Sequence, residues 1–256
     1  MPHPFSRTQL LLGRQALQKL KDSHVAVFGV GGVGGYAVEV LARSGVGSIT
    51  VVDNYRVDIT NINRQIIALH STIGQLKVDV IARRIADINP DCHVTALHTF
   101  YLPSNADEID LSAYDYVVDC IDTVAAKLEL IRRCHELHVP IISSMGAANK
   151  MDATAFRVAD INQTQIDPLA KGIRKKLRKL GIESLKVVFS EETPLPYAEG
   201  ETPPLAQNDE QTEGNRKRMI PASNAFVPAA AGLIIGGEVV KDIIKRPCSV
   251  VNDSSL

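Results

Sequence analysis

The sequence predicts an α/β fold built on a mainly parallel sheet. Three observations predict it. Strand and helix patterns alternate from Val25 to Ser143, the strands are near-continuous apolar runs, and a cluster of glycines joins the first strand to the first long helix. Apolar runs of this kind suit strands covered by helices on both faces.

Arg7 to Leu20 places Leu10, Leu11, Leu17 and Leu20 at helical spacing beside Arg14 and Lys19, which predicts a leading helix. Val25 to Phe28 is the first buried strand. It runs into Gly29-Val30-Gly31-Gly32-Val33-Gly34-Gly35 and then a helical pattern through Tyr36, Val40 and Leu41. Strand, glycine turn and helix in this order let backbone amides approach a phosphate at a helix N-terminus, so the fold is expected to be Rossmann-like and doubly wound. Ser48 to Val52 is a second strand ending at Asp53, Gln75 to Ile88 a helix stopped by Asn89-Pro90, and His93 to Leu97 a third strand. Tyr116 to Val118 leads to Asp119 as a fourth, a helix covers Thr123 to Leu137, and Ile141 to Ser143 is a fifth.

The pattern changes after about Asp160, which predicts an elaborated C-terminal half. Asp167 and Pro168 are a cap and first residue for a helix that Gly181 can end, with Leu169, Ile173, Leu177 and Leu180 on one stripe. Val187 to Phe189 suits a strand. Residues 191–214, rich in Pro, Glu, Gln and Thr, are expected to be a mobile loop. The whole chain, 1–256, is expected to be one domain, with a nucleotide-binding half (1–150) and a substrate-binding half (151–256).

Bulk properties narrow the function. With 45 % hydrophobic and 22 % charged residues the 256-residue chain is expected to be globular, and a net charge of −1 offers no global attraction to nucleic acid, so any polyanion must meet a local basic patch. Cys92, Cys120, Cys134 and Cys248 form no Cys-x-x-Cys pair; no zinc is expected, and free thiols fit a reducing cytoplasm. Residues 219–237 lack charge over nearly the ~20 residues a membrane span needs. Pro221, Ser223, Asn224 and Pro228 interrupt them, so a buried core helix is expected, with membrane attachment as the alternative.

By itself the glycine turn, Gly29, Gly31, Gly32 and Gly34, would serve a dehydrogenase, an ATP enzyme or tight packing. Asp53, about 20 residues after Gly32, can accept hydrogen bonds from ribose hydroxyls or cap the following turn. The next loop, Thr60-Asn61-Ile62-Asn63-Arg64-Gln65, and Gly74-Gln75-Leu76-Lys77 add cations suited to a triphosphate. The ordered set Gly-x-Gly-Gly-x-Gly, Asp53, Asn-x-Asn-Arg-Gln, Gly-Gln-x-Lys and Asp-x-x-Asp at Asp119 and Asp122 resembles the superfamily of ubiquitin-activating-enzyme-like adenylyltransferases that includes ThiF and MoeB.

That resemblance covers roughly residues 7 to 150. It implies that the four glycines cradle phosphate, Asp53 holds ribose, and Asn61, Asn63, Arg64 and Lys77 grip the triphosphate of ATP. It further implies Mg²⁺ at Asp122, a catalytic set of Arg64, Lys77, Asp122 and Arg14, and a homodimer in which Arg14 serves the neighbouring subunit's site. The zinc-binding Cys-x-x-Cys pairs usual in ThiF-like and MoeB-like enzymes are missing, which weighs against activation of a sulfur-carrier protein.

The second half resembles a branch of the superfamily, the tRNA threonylcarbamoyladenosine dehydratases, in Gln165-Ile166-Asp167-Pro168-Leu169 with its basic helix and in Val187-Val188-Phe189-Ser190-Glu191-Glu192. The resemblance implies ATP-dependent adenylation of a threonyl carboxylate beside the tRNA anticodon, then ring closure with net loss of water. Lys171, Arg174, Lys175, Lys176, Arg178 and Lys179, with Arg216, Lys217 and Arg218, are candidate tRNA contacts, although a charge run can also be a solvated face. Nearby branches are associated with cysteine desulfurase systems, so a sulfur-relay partner is one expectation, while the sequence alone assigns no role in it to Cys120 or Cys248. The competing expectations are an enzyme activating the C-terminal glycine of a sulfur carrier, a nucleotide-sensing scaffold without turnover and, more weakly, a dehydrogenase.

Overall fold

The computed structural model describes residues 3–202 and 220–245. Seven strands, β1 (His24–Phe28), β2 (Ser48–Val52), β3 (His93–Leu97), β4 (Tyr116–Asp119), β5 (Ile141–Ser144), β6 (Phe156–Asp160) and β7 (Lys186–Ser190), form one sheet. Their order is β3-β2-β1-β4-β5-β7-β6. All neighbours are parallel except β6, which runs antiparallel on β7. The expected Rossmann-like, doubly wound, mainly parallel fold is therefore present. The order reverses between β1 and β4, and a doubly wound sheet opens its ligand crevice at that point, beyond the carboxyl ends of the strands.

The helices are α1 (Ser6–Leu12), α2 (Arg14–Lys21), α3 (Gly34–Arg43), α4 (Lys77–Ile88), α5 (Val124–Glu136), α6 (Pro168–Lys179) and α7 (Val227–Lys245). Both faces of the central strands are buried: Val25 and Val27 of β1 join the core shared with α3, α4 and α7, while Ala26 and Phe28 join the core beneath α5. The charge-free stretch enters α7, a core helix. A Cβ on Gly232 would lie 2.2 Å from the Val33 carbonyl and one on Gly236 2.6 Å from Val40 Cβ, so only glycine lets α7 approach α3 this closely. Among the described residues no helix is long and apolar enough to cross a membrane.

Two expectations are corrected, and one strand had not been expected. Gly13, at φ 87°, splits the leading helix into α1 and α2, and Leu10 and Leu11 are 87 % and 83 % exposed rather than part of the core. The edge strand β6 was not legible, because Phe156 is its one buried residue and a half-exposed edge carries little hydrophobic pattern. Leu180 lies past the end of α6 and is exposed, so the stripe beneath that helix is Ala170, Ile173 and Leu177. Residues 191–202 carry no helix or strand; 203–214 lie outside the described residues.

Beneath the crevice, Lys127 of α5 is fully buried and donates to Asp119 Oδ2 (2.7 Å), Ser143 Oγ (3.1 Å) and the Ser144 carbonyl (3.0 Å). Asp119 also accepts from Ser143 Oγ and from the Ile121 amide. Removing one partner of such a pair leaves an uncompensated buried charge, so Lys127→Met is expected to cost about 3–5 kcal/mol of folding stability. Urea unfolding measures it; a loss under ~1 kcal/mol would show that the pair does not hold the strand ends together.

Candidate active site

A cavity of about 790 Å³ opens at the point where the strand order reverses. Register aligns Phe28 with both Val52 and Asp119, so Gly29, Asp53 and Cys120, the residues that follow, emerge side by side at its floor. Gly29 turns with φ 84°, and a Cβ there would sit 2.7 Å from the Cys120 carbonyl. Gly31 and Gly32 line the cavity. Gly34 does not: it begins α3 behind the loop, where a Cβ would fall 1.8 Å from the Gly29 carbonyl oxygen. Its part is to permit the turn.

Asp53 combines the two roles left open by its position. Oδ1 accepts from the Tyr55 amide (2.8 Å), capping the turn, and Oδ2 accepts from the Val30 amide (2.9 Å), bracing the glycine loop. Each carboxylate oxygen has two lone pairs, so capacity for ribose hydroxyls remains. Asn61 lines the cavity while its Oδ1 accepts from the Asp58 amide and holds the loop shape. Asn63 is a correction: it does not line the cavity, because its Nδ2 donates to the Ser223 carbonyl (3.0 Å) and pins this loop to the segment before α7.

Arg64 and Lys77 do face the cavity. Arg64 Nη1 donates to the Thr60 carbonyl (2.8 Å) and to Asn63 Oδ1 (3.0 Å). Among the described residues neither cation is ion-paired with a carboxylate. Lys77 is only 7 % exposed, which excludes a merely solvated helix face, and its ammonium lies 5.2 Å from the Tyr55 ring centre. Burial lowers the Lys77 pKa; Asp53 opposes that shift and Arg64 reinforces it. Burial likewise lowers the pKa of Arg64. Gln65, quoted in the motif but not assigned a role, lines the same wall with its Oε1 buried and unpartnered. Its motif position was the available signal; that orphaned oxygen could be seen only in three dimensions.

Asp122 lies exposed on the cavity rim, and among the described residues its hydrogen-bond partner is Thr123 Oγ1, at 3.5 Å. The cap residue of α5 is Thr123, so Asp122 is not spent on capping the helix. Mg²⁺ is commonly kept by one or two carboxylates together with phosphate oxygens and water. An uncommitted Asp122 fits that pattern, although no cluster of three His, Cys, Asp or Glu among the described residues could hold a metal unaided. Cys120 is lodged in the floor, where burial pushes its thiol up to about 12; the nucleophilic thiolate is therefore scarce at neutral pH. Cys248 lies outside the described residues.

The far wall comes from the second half. Residues 145–150, after β5, and Asp167, Pro168 and Leu169, which open α6, line it. As expected, Asp167 caps α6 by accepting from the Ala170 amide (3.0 Å); its other oxygen accepts from Gly146. Lys171, Lys175, Lys176, Arg178 and Lys179 are exposed along α6. Arg174 is not part of that face: its Nη1 donates to the Ile161 carbonyl and to the carbonyl and hydroxyl of Thr164. Arg216, Lys217 and Arg218 lie outside the described residues. Arg14 is exposed on α2 and does not line its own chain's cavity.

Fold and site together define a Rossmann-like nucleotide-binding protein in which a glycine loop, buried Lys77 and half-buried Arg64 share one cavity with a second wall from the C-terminal half. The chain belongs to the ThiF family, which it matches over residues 5–252. It is 51 % identical over 246 residues to the tRNA threonylcarbamoyladenosine dehydratase of Bacillus subtilis (strain 168), spanning 96 % of each chain. It superposes with TM-score 0.82 and 34 % identity on the crystal structure of the E. coli tRNA N6-threonylcarbamoyladenosine dehydratase in complex with AMP, covering 94 % of both chains. The ATP complex of that E. coli enzyme matches with TM-score 0.80 and 33 % identity, over 94 % of this chain and 93 % of the other.

The unpaired burial of Lys77 has a stability signature. Its pKa is lower in the folded than in the unfolded chain, so the cost of carrying the charge is full below the folded value and fades as pH rises toward the ordinary 10.5. Lys77→Met is thus expected to raise the melting midpoint of the nucleotide-free protein at pH 7, by an amount that shrinks as pH approaches 10. Thermal melts across that range check it; a lower midpoint at pH 7 would show that the charge is no net burden.

Proposed function

We propose that this protein dehydrates threonylcarbamoyladenosine beside the tRNA anticodon, using ATP to adenylate the threonyl carboxylate and then closing a ring. The chain is an ATP-dependent adenylating enzyme of the tRNA threonylcarbamoyladenosine dehydratase type. The observation that carries this reading is the cavity in which buried Lys77 and half-buried Arg64, neither ion-paired among the described residues, line the same space as the glycine loop and which continues into the wall formed after β5 and at the start of α6. Similarity to dehydratases over nearly the whole chain supports the choice of substrate.

Adenylation must bring a carboxylate to the α-phosphorus in line, and the two anions repel. The amides of Gly31 and Gly32 and the side chains of Arg64 and Lys77 hold and neutralise the triphosphate, while Asp53 positions the ribose. Asp122 would hold Mg²⁺, which when bound cancels phosphate charge and eases departure of pyrophosphate. A carboxylate oxygen bonds to the α-phosphorus as the bond to pyrophosphate breaks. A nitrogen or oxygen of the neighbouring carbamoyl group then attacks the activated carbonyl; AMP leaves with the former carboxylate oxygen, and the nucleophile's proton goes to solvent. The attacking atom is tethered to its target, so its effective concentration is high and no enzyme thiol is needed. This reading assigns no step to Cys120 or to a cysteine desulfurase partner.

The exposed lysines of α6, with Arg178, lead away from the cavity mouth and would contact tRNA phosphates. Arg14, turned from its own cavity, would complete the site of a second subunit in a homodimer. A tRNA substrate would place the enzyme in the cytoplasm.

Nucleoside mass spectrometry of tRNA treated with protein and ATP is expected to show threonylcarbamoyladenosine lighter by one water; unchanged nucleoside would reject the reading. Lys77→Ala and Asp122→Ala are each expected to slow tRNA-dependent pyrophosphate exchange by about 10²-fold or more, and near-wild-type exchange would remove that residue from the site. Charge reversal at Lys175, Lys176 and Arg178 is expected to weaken tRNA binding and to flatten its log-log salt dependence by roughly 0.7 per lost contact in single-stranded regions. Unchanged affinity and slope would make α6 a solvated face.

A further inference from the structure

We infer that Lys150 binds the carboxylate that the enzyme activates. The inference rests on the adenylating reading of the cavity and assigns a residue to its acceptor side. Lys150 ends the run that lines the cavity after β5 and is only 4 % exposed. Its ammonium has three donors, and Nζ gives one hydrogen bond, to the Glu192 carbonyl at 2.7 Å. No carboxylate lies within ion-pair distance of it among the described residues.

The nearby acidic groups are already engaged. Glu192 accepts from the amides of Met151 and Asp152 through its side-chain oxygens. Asp167 accepts from Gly146 and Ala170. Both attract the Lys150 charge, yet burial still lowers its pKa. A buried cation left with a single carbonyl is costly unless an anion completes its shell. An incoming carboxylate supplies that anion.

The setting is rigid. Asn149, held at φ 57°, exchanges hydrogen bonds with Ala222 through its amide and its side-chain oxygen, and its carbonyl accepts from Leu195. Asn224 Nδ2 donates to the Lys150 carbonyl at 2.7 Å. Segments distant in sequence therefore fix the backbone on both sides of the ammonium, and a fixed charge loses little on meeting its ligand. Arg64 and Lys77 lie on the glycine-loop side and suit the triphosphate. Lys150 lies on the wall shared with α6, where the second anion must enter. Each reactant thus has its own counter-charge, and the mutual repulsion that slows the attack is reduced.

The plain alternative is that Lys150 only clamps the Glu192 carbonyl. Lys150→Gln separates the two roles, since a glutamine amide can still donate to that carbonyl but carries no charge. Single-turnover dehydration of threonylcarbamoyladenosine-bearing tRNA should be compared with ATP affinity and thermal midpoint on the same preparations. Lys150→Gln is expected to lower kcat/KM for the tRNA by about 10- to 100-fold with ATP affinity held within about twofold, and Lys150→Arg to recover most of the loss. A glutamine variant within about threefold of wild type, or one that loses ATP affinity in parallel, would overturn the assignment. Failure of the wild-type protein to convert the tRNA would sink the adenylating reading and this inference together. Failure confined to the variant comparison sinks the inference alone.

Discussion

A fully buried ion pair, Lys127 with Asp119, holds the two halves of this active-site cavity in register. Burying two charges costs several kcal/mol each, and their attraction recovers this only when the remaining donors and acceptors are also met. Here they are: the Lys127 ammonium has Asp119, Ser143 and the Ser144 carbonyl, and Asp119 receives in addition the Ser143 hydroxyl and the Ile121 amide. The consequence is geometric. Ile121 leads directly to Asp122 on the nucleotide side, and Ser144 leads to the 145–150 wall on the substrate side, so one ammonium sets both loops at the point where the strand order reverses.

Around that satisfied pair, the cavity keeps its other cations unsatisfied. Among the described residues Lys77 and Lys150 are buried without ion partners, and Arg64 reaches a carbonyl and an amide oxygen. The folded state carries this as a stability cost, and anionic ligands offset it. The contrast separates two uses of charge in one molecule: a buried pair closed on itself gives shape, and in the proposed reading the charges left without an ion partner would meet phosphate and carboxylate. Glycine supplies the frame's close approaches, at Gly34 beneath the loop and at Gly232 and Gly236, where α7 presses on α3, the helix that follows the glycine turn.

Much of this was legible in one dimension. Burial on both faces makes parallel strands read as apolar runs, and the turn between β1 and α3 needs glycine for local steric reasons, so the parallel strands' positions along the chain, the glycine loop and the cap at Asp167 were all readable. The misreadings have physical causes. A helical stripe through Leu10 and Leu11 shows spacing, not what covers it, and Gly13 broke the helix that the stripe suggested. In Asn63 and Arg174 the residue type suited a ligand contact, but the partners turned out to be the Ser223 carbonyl and the Ile161–Thr164 turn.

The sequence by itself determined the α/β class, the strand–glycine–helix turn, Asp53 at the end of β2, and the presence of Arg64, Lys77 and Asp122 in the right order. These follow from local periodicity and from spacing along one chain. Only the tertiary structure decided which charges are buried, which are paired and which face the cavity. Lys150 meets Glu192, Asn63 meets Ser223, and Lys127 meets Asp119 with Ser143, through contacts between separate elements. Burial and electrostatic environment are properties of such contacts and of no single segment.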